Sequence, residues 1–392
     1  MNASAATVSR QVERAPLLRV DPAMLLFMAA ILLLGLIMVT SASVNIATRE
    51  TGDPFAYLER QLALVSAGLL LAGVLLAIPV QVVERVALPL LVVGALLLLL
   101  VLIPGLGHVA KGGRRWLRLP GFNFQVSEAA RVLALVYIAH YCVRFEQQLR
   151  STAGGLLRPL ALLGLFGLLL LLEPDMGAAT VLFVTGFGLL FLAGARLRWV
   201  LAAMSVAAVL MVLLVVFSSY RLRRVTGFLD PWADPYNTGF QLTQSLIAIG
   251  RGEWFGVGLG ASVQKLFYLP EAHTDFLFAV LAEELGLAGV VLTLSLFIGL
   301  AWRVFVLARR AHDAGLKFHG YIASGFALWV LVQSFVNIGV NMGLLPTKGL
   351  TLPFMSYGRS SMIVALAWFG LVLRVHHEVL GGARGAPRGK YS

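Results

Sequence analysis

Cysteine and charge are what this 392-residue sequence has least of. Its one cysteine, Cys142, lies inside an apolar run, which excludes a disulfide framework and any zinc or iron–sulfur site built from cysteines. Charged residues make up 13% of the chain and hydrophobic residues 59%. A soluble fold of this size needs roughly a quarter of its residues charged to cover its surface. The composition therefore predicts an integral membrane protein, whose surface faces lipid.

The motifs of soluble enzymes are also missing. The sequence has no glycine-rich phosphate loop, no His-x-x-His zinc pair and no Gly-x-Ser-x-Gly turn. With no ATP-binding module, any reaction has to be driven by the substrate's own leaving group or by a gradient. The net charge of +12 comes without a basic block interleaved with aromatics, which argues against nucleic acid. Anionic lipids and lipid-linked substrates are the partners that this charge favours.

Ten apolar runs, each close to the 20 residues that cross a bilayer, recur along the chain. They predict an all-α, polytopic membrane domain over residues 22–379 with ten transmembrane helices. Six runs contain no ionisable residue: 24–44, 62–80, 86–103, 176–193, 199–217 and 285–302. Four are short or interrupted by polar groups: 126–143, 156–172, 321–343 and 351–373.

Lys and Arg are modestly enriched in the loops on the side of the termini, which predicts cytoplasmic tails at 1–21 and 380–392. The first run lacks a small-residue cleavage signal, so we expect an uncleaved helix. The excess is modest because two basic clusters, 111–118 and 221–224, fall in outer loops. Cations kept there indicate a bound anion such as phosphate. Contact with lipid headgroups and snorkelling are the alternative.

The longest loop, 218–274, is predicted to be extracytoplasmic and to carry interfacial helices. Within it, residues 239–250 alternate apolar side chains with glutamines and hydroxyls in the pattern of an amphipathic surface helix. Five glycines between 250 and 260 then predict a flexible connector.

Ionisable groups within apolar runs cost about 2.5–3.5 kcal/mol each, so each needs a reason. Glu128 and Arg131 are spaced i, i+3 and can neutralise each other, which is a structural salt bridge in the simplest interpretation. Asp175 follows Pro174 in a turn and either caps the next helix or does more. Glu283 and Glu284 lie deeper, where a bundle interior or a water-filled cavity would have to hold them, and helix packing is the alternative.

Asp275 ends the long loop where it meets the membrane beside Phe276 and Phe278. Desolvation there is expected to raise the pKa of its carboxyl, as a general base requires, although an N-cap would equally explain it. Residues 344–361 contain two prolines with glycines and hydroxyls that break the helix pattern, so this segment is predicted to wall a site beside Asp275. The preceding span offers neutral donors for sugar hydroxyls or for interhelical packing, namely Gln333, Asn337 and Asn341.

Seven motifs together resemble the SEDS family, the shape, elongation, division and sporulation glycosyltransferases, across nearly the whole chain. They are Gly113-Arg114-Arg115-Trp116, Gln125-Val126-Ser127-Glu128, Pro174-Asp175-Met176-Gly177, Gly239-Phe240-Gln241-Leu242-Thr243-Gln244-Ser245, the stretch 269–278, Leu345-Pro346-Thr347-Lys348-Gly349-Leu350 and Ser356-Tyr357-Gly358. Pro270 to Asp275 and Pro346 to Gly349 are similar to the division type and differ from the RodA-type elongation polymerase. The chain departs from the family pattern at four positions, with Val126, Arg131, Glu173 and Arg359 in place of the usual Pro, Lys, Gln and Gly.

The resemblance implies a septal peptidoglycan glycosyltransferase that polymerises lipid II with undecaprenyl pyrophosphate as leaving group. Asp275 falls on the family's essential carboxylate and is assigned as the catalytic general base. Leaving-group charge would be stabilised by Arg114, Arg115 or Lys348, with a divalent cation, Mg or Mn, as possible help. The family's charged pair maps to Glu128 and Arg131 and its buried Asp to Asp175. The other substrate-binding residues assigned on the matching motifs are Gln244, His273 and Ser356.

As partners, the resemblance implies a class B penicillin-binding protein of the FtsI type and other divisome membrane proteins such as FtsQ, FtsL, FtsB and FtsN. It places the chain in the bacterial inner membrane at the division septum. Two other functions stay open at this point: a flippase that moves lipid II across the bilayer, and a non-catalytic divisome scaffold. Replacing Asp275 separates all three, since only the polymerase loses synthesis outright.

Overall fold

The computed structural model describes residues 19–110, 113–119 and 122–385. Most of the predicted tails, 1–21 and 380–392, lies outside the described residues, as does Lys111 of the first basic cluster. The described helices are α1 (Pro22–Thr51), α2 (Ala56–Ala77), α3 (Val80–Arg85), α4 (Ala87–Leu102), α5 (Val126–Arg144), α6 (Glu146–Ser151), α7 (Ala153–Leu172), α8 (Met176–Leu192), α9 (Leu197–Val216), α10 (Ser219–Leu229), α11 (Phe240–Arg251), α12 (Leu277–Asp313), α13 (Lys317–Asn341) and α14 (Arg359–Gly385). The described strands are β1 (Gly107–Ala110), β2 (Gly113–Leu119) and β3 (Phe122–Gln125).

Helices form wherever the sequence has a predicted apolar run. Eight described helices are long and apolar enough to cross a bilayer: α1, α2, α5, α7, α9, α12, α13 and α14. Two more, α4 and α8, are apolar but only 16 and 17 residues long. The predicted all-α polytopic fold is therefore confirmed, and the count of ten crossings stays a prediction.

The helices differ widely in how deeply they are buried. In its most apolar 18-residue window, α13 is 72% buried, packed against α5, α8, α12 and α14. The same measure for α9 is 6%, and its apolar side chains face outward between its neighbours α7, α8 and α10. Lipid is as apolar as leucine, so outward-facing apolar residues cost nothing in a bilayer. α13 is thus central and α9 peripheral.

A small antiparallel sheet in the order β1-β2-β3 joins α4 to α5. Trp116 pairs with Gln125 across β2 and β3, and Gly107 pairs with Leu117 across β1 and β2. From the sequence, this stretch is predicted only as a basic loop. The sheet orders it, and it delivers Gln125 directly to the first residue of α5.

Helix α12 is broken at Gly286, whose φ of 66° and ψ of −162° leave the helical region. The break frees backbone groups, and the glycine-rich loop fills it. Val257 and Gly258 donate their N–H groups to the carbonyls of Glu283 and Glu284 at 2.9 and 3.1 Å. In return, the N–H groups of Leu287 and Ala288 donate to the loop carbonyls of Glu253 and Trp254. The predicted flexible connector is therefore wrong here, because broken backbone inside an apolar bundle must be satisfied.

The segment between α13 and α14 is not helical over residues 342–358. The predicted break around its prolines is confirmed, but the apolar run proposed from 351 starts too early, since α14 begins at Arg359. The predicted amphipathic helix 239–250 is confirmed as α11. Its Ser245 hydroxyl donates to the carbonyl of Asn341 at 2.8 Å, which docks it on the end of α13.

Candidate active site

Polar groups gather at two opposite ends of the bundle. The end that holds the last turn of α13 and the broken segment 342–358 is called the Asp275 end. The end that holds the start of α1 and the start of α13 is called the Asp21 end. Nearly all of the predicted site residues lie at the Asp275 end.

Asp275 lies two residues before α12, with its side chain half-buried. The N-cap position of α12 is held by Phe276 and not by Asp275. The Asp275 carbonyl accepts from the side-chain amides of Asn337 and Asn341 at 2.9 and 3.1 Å. A Cβ on Gly349 would come within 3.0 Å of Asp275 Oδ2, so glycine permits this close approach. The broken segment does lie beside Asp275, as predicted.

Lys348 directly precedes the glycine that touches Asp275. Burial, together with the nearby Arg224 and Arg221 guanidinium groups, lowers the pKa of its ammonium to about 8, against a smaller opposite effect of Asp175. Arg224 also donates to the carbonyl of Thr347 at 3.5 Å. The basic cluster 221–224 thus contributes two cations to the surroundings of Lys348.

Asp175 is a helix cap, as in the simpler predicted interpretation, and it accepts two further hydrogen bonds; its role in substrate binding stays a prediction. Its Oδ1 accepts from the N–H of Ala178 at 3.0 Å, which caps α8. Its Oδ2 accepts from the Ser127 hydroxyl at 3.0 Å and from the Gln125 amide at 3.4 Å. Asp175, only 4% exposed, is therefore held by neutral donors from β3, α5 and α8.

Glu128 and Arg131 form the predicted salt bridge, with 2.5 Å between Glu128 Oε2 and Arg131 Nη2. Arg131 also donates to Gln333 Oε1 at 3.3 Å, and the Gln333 amide donates to the carbonyl of Thr351 at 3.1 Å. The pair thus belongs to a buried chain of hydrogen bonds that runs from α5 to the broken segment. Its role in substrate binding stays a prediction.

Neutral amides predicted as sugar ligands are used on the protein backbone. Besides holding Asp275, Asn337 donates to the carbonyl of Leu350 at 2.6 Å. Gln333 and Asn337 thus satisfy carbonyls of the broken segment, and Asn341 donates to the carbonyls of Asp275 and Asn337. These contacts agree with the packing alternative.

Arg114 and Arg115 lie on β2 and donate to main-chain carbonyls. Arg114 binds the carbonyl of Leu102 at 2.9 Å, and Arg115 binds those of Glu173 and Pro174. Both side chains are half-buried, and their role as pyrophosphate ligands stays a prediction. Their contacts fix the sheet to the ends of α4 and α7.

Glu173 stands where the family usually has Gln, and it is completely buried. Burial and the nearby Asp175 raise the pKa of its carboxyl to about 9, although Arg115 acts in the opposite direction. Neither carboxyl oxygen finds a hydrogen-bond partner within the described part of the chain. Glu173 is therefore a neutral acid near pH 7, close to Gln in shape and charge.

The three remaining predicted substrate-binding residues are His273, Ser356 and Gln244. His273 accepts the N–H of Tyr357 on its carbonyl at 3.0 Å, and its ring packs edge-on against Tyr57. Ser356 is 2% exposed, and its hydroxyl accepts the N–H of Leu352. Gln244 is half-buried on α11, next to the docked Ser245. Of these three, Ser356 supports the fold of the broken segment.

Among the described residues, no three His, Cys, Asp or Glu side chains come together to hold a metal ion. A divalent cation, Mg or Mn, stays a prediction.

An apolar groove of about 810 Å³ lies between α7, α8 and α9. All of its lining residues are apolar except Arg221, and they include Leu157, Leu168 and Val206, which are more than half exposed. Arg221 also lies close enough to Lys348 to affect its pKa. The groove, the cations and Asp275 therefore follow one another in space.

The roles of some residues near the site were not predicted from the sequence. The hydroxyl of Ser127 and the amide of Gln125 hold Asp175, although both belonged to a motif that had been noted. Lys265 forms a buried ion pair with Glu284 at 2.7 Å. Two adjacent glutamates in an apolar run require a cation, and that requirement was the signal that could have found it.

Fold and site together define a polytopic helical membrane protein with a carboxylate and a cation cluster at one end. A family model described as "Cell cycle protein", that of FtsW, RodA and SpoVE, matches residues 22–380, and the chain belongs to this family. The resemblance recognised in the sequence is thereby confirmed.

Relatives and solved structures agree with this membership. The chain is 53% identical over 362 residues to a "Probable peptidoglycan glycosyltransferase FtsW" of Thioalkalivibrio sulfidiphilus, covering 92% of this chain and 90% of that one. A protein of the same name from Coxiella burnetii is 49% identical, with 89% and 94% covered. A chain of a solved peptidoglycan synthase complex is similar at a TM-score of 0.76 and 33% identity, covering 92% of this chain and 99% of that one. The rod shape determining protein RodA of Thermus thermophilus is similar at 0.69 and 31%, covering 93% and 99%.

Proposed function

We propose that the chain is a peptidoglycan glycosyltransferase that polymerises lipid II during cell division. The observation that carries this proposal is the order of three features: an apolar groove, a cation cluster at its end, and a carboxylate beside those cations. A substrate with a long hydrocarbon chain, a diphosphate and a sugar presents the same three chemistries in the same order. Relatives at about half identity carry the glycosyltransferase name.

The groove suits a polyprenyl tail. Its walls belong to α7, α8 and α9, and α9 is the least buried of the eight long helices that the structure describes. A lipid tail can therefore reach it sideways from the bilayer. Arg221 at the groove and Lys348 beyond it provide positive charge for the diphosphate.

Asp275 acts as the general base in this proposal. Its carboxylate takes the proton of the acceptor sugar's 4-hydroxyl while that oxygen attacks the donor's anomeric carbon. The bond from this carbon to the diphosphate oxygen breaks, its electron pair leaves with undecaprenyl pyrophosphate, and the anomeric carbon is inverted. The departing charge is stabilised by Lys348 with Arg221 and Arg224, so the leaving group needs no proton. A divalent cation, Mg or Mn, would have to enter on the diphosphate.

Location and partners belong to the same proposal. The Asp275 end faces outward, both termini are cytoplasmic, and the protein works in the inner membrane at the septum. A class B penicillin-binding protein crosslinks the strands, and FtsQ, FtsL, FtsB and FtsN are further membrane partners. The similar chain in a solved peptidoglycan synthase complex supports a synthase partner.

The test uses the purified full chain, its transpeptidase partner and labelled lipid II, with glycan products resolved by length. Asp275→Asn is expected to lower polymerisation by about 10²–10⁴-fold, the usual effect of losing a general base. The matched control is Asp230→Asn, the same change on an exposed carboxylate of the same loop, and it should polymerise like the native chain. Substrate binding should persist in both variants.

Three results would overturn the proposal. If Asp275→Asn makes polymer at the native rate, Asp275 is not the general base. Transfer of lipid II across vesicles by the native chain, with no polymer formed, identifies a flippase instead. Normal division in cells that carry only Asp275→Asn would indicate a scaffold.

A further inference from the structure

Two buried carboxylates outside the proposed reaction hold the loop that leads to Asp275. Glu284 accepts from the Lys265 ammonium at 2.7 Å and from the Ser41 hydroxyl at 2.7 and 2.8 Å. Lys265 also donates to the Ser41 oxygen at 2.9 Å, which closes a three-membered polar cluster. The side chains of Glu284 and Lys265 are 0% and 5% exposed. The cluster joins α1, α12 and the long loop.

Glu283 extends the same attachment along the loop. Its carboxylate accepts the Ser262 hydroxyl and the N–H groups of Val263 and Gln264 at 3.1 and 3.4 Å. It also pairs with Arg251, the last residue of α11, at 3.1 Å. The loop is therefore gripped over 262–265 by the first two turns of α12, immediately before the break at Gly286.

The gripped segment leads to Asp275 within ten residues. Tight turns link it: Leu269 donates to the carbonyl of Gln264, and Phe276 donates to that of Glu271 at 3.2 Å. Glu271 has a φ of 58°, a left-handed conformation that a non-glycine residue adopts only when its surroundings enforce it. Asn337 and Asn341 hold the far end at the Asp275 carbonyl. The loop that carries Asp275 is thus fixed on both sides.

Stability alone does not account for a buried ion pair here. Removing two charges from water costs several kcal/mol per ion, and apolar replacements of a buried pair are often neutral or stabilising. An ion pair with directed hydrogen bonds does impose one geometry on its partners. The Lys265–Glu284 pair is therefore better explained by the position that it enforces than by the stability that it adds.

We propose that the Lys265–Glu284 pair, with Ser41, is a positioning device for Asp275. This rests on the proposed function, because Asp275 is the base of that reaction. Without the pair, Asp275 keeps its chemistry but loses its place relative to the acceptor hydroxyl. A displacement of about 1 Å at a reacting group costs on the order of 100-fold in rate.

The experiment measures kcat and KM for lipid II polymerisation, with the transpeptidase partner present, and the melting temperature of each variant in detergent. Lys265→Met is expected to lower kcat roughly 100-fold with KM unchanged. Lys265→Arg keeps the charge and should recover most of the rate. The control is Arg303→Met, which breaks another ion pair of α12, since Arg303 binds Asp21 at the start of α1. That control should lower the melting temperature while leaving kcat unchanged.

The outcomes separate this inference from the proposed function. Native chain that makes no glycan overturns the proposed function. Native chain that makes glycan while Lys265→Met keeps the native kcat overturns only the positioning role. An equal loss of kcat in Arg303→Met and Lys265→Met also overturns it, because the effect would then follow stability.

If Lys265→Met does not fold, Ser41→Ala replaces it: a lower kcat at unchanged melting temperature supports the inference, and a native kcat contradicts it.

Discussion

The two ends of the bundle handle buried charge in different ways. At the Asp21 end, opposite charges are matched: Asp21 pairs with Arg303, and Glu378 pairs with His319 and Arg374 at 2.6 Å each. At the Asp275 end, some charges are matched, as in Glu128–Arg131 and Lys265–Glu284. Others are not: Asp175 is held by a hydroxyl, an amide and an N–H, and Lys348 has two arginines nearby. A charge that is paired with its opposite needs no further counter-ion. Charges held by neutral groups or by like charges leave room for a ligand's charge.

The largest effect that would sharpen this contrast is expected at Lys348. Lys348→Met should lower kcat about 100-fold, comparable to losing one charge-stabilising donor. Because the pKa of Lys348 is lowered to about 8 by burial and its arginine neighbours, its positive charge is present below that pH and lost above it. Native kcat/KM should therefore fall as the pH rises above about 8.

The measurement is a pH profile of polymerisation by native chain and Lys348→Arg. The arginine variant keeps its charge, so its alkaline fall should disappear even if its rate is lower. An unchanged alkaline fall in that variant would assign the fall to another group.

A moderate effect is expected at Gly349. In Gly349→Ala the new Cβ meets Asp275 Oδ2 at 3.0 Å, so the carboxylate has to shift by a few tenths of an ångström. We expect kcat to fall about tenfold, less than the loss for a displacement of 1 Å. The matched control is Gly73→Ala on α2, where a Cβ has nothing within 4 Å, and steady-state kinetics should show its rate unchanged.

At the Asp21 end, a charge change should affect stability and not rate. Glu378→Gln weakens the bonds to His319 and Arg374 and the one to the N–H of Val80 at 3.1 Å. We expect the free energy of unfolding to fall by about 1–3 kcal/mol, because buried donors are left without their charged partner. Thermal unfolding in detergent should detect it, with kcat per folded molecule unchanged. A specific loss of kcat would show that the two ends are coupled.

The smallest effect on the reaction rate is expected at Glu173. Its folded-state pKa of about 9 exceeds the ordinary 4.5, so the folded chain holds a proton that the unfolded chain releases between these values. Stability therefore falls as the pH rises from about 4.5 to 9. Glu173→Gln lacks this loss, so its melting temperature should exceed that of the native chain at pH 8 and by less at pH 5. An equal difference at both pH values would contradict the assignment of a neutral acid.

Sequence patterns were sufficient where one physical requirement dominated. Apolar runs located the helices because lipid demands both length and hydropathy, and the i, i+3 spacing identified the Glu128–Arg131 pair. Proline and glycine located the break at 342–358. Contacts between distant residues were not readable in this way. The grip of Asn337 and Asn341 on Asp275 and the Lys265–Glu284 pair depend on how helices pack, and the amides were equally compatible with sugar binding until the structure showed their partners.

The break at Gly286 has a consequence for the order of assembly. Residues 252–258 are synthesised before the part of α12 whose open backbone groups they complete. Until that part of α12 is made, the N–H groups of Val257 and Gly258 and the carbonyls of Glu253 and Trp254 lack their protein partners. The glycine-rich loop can therefore take its final conformation only late in biogenesis, after the ribosome has passed the eighth of the ten apolar runs.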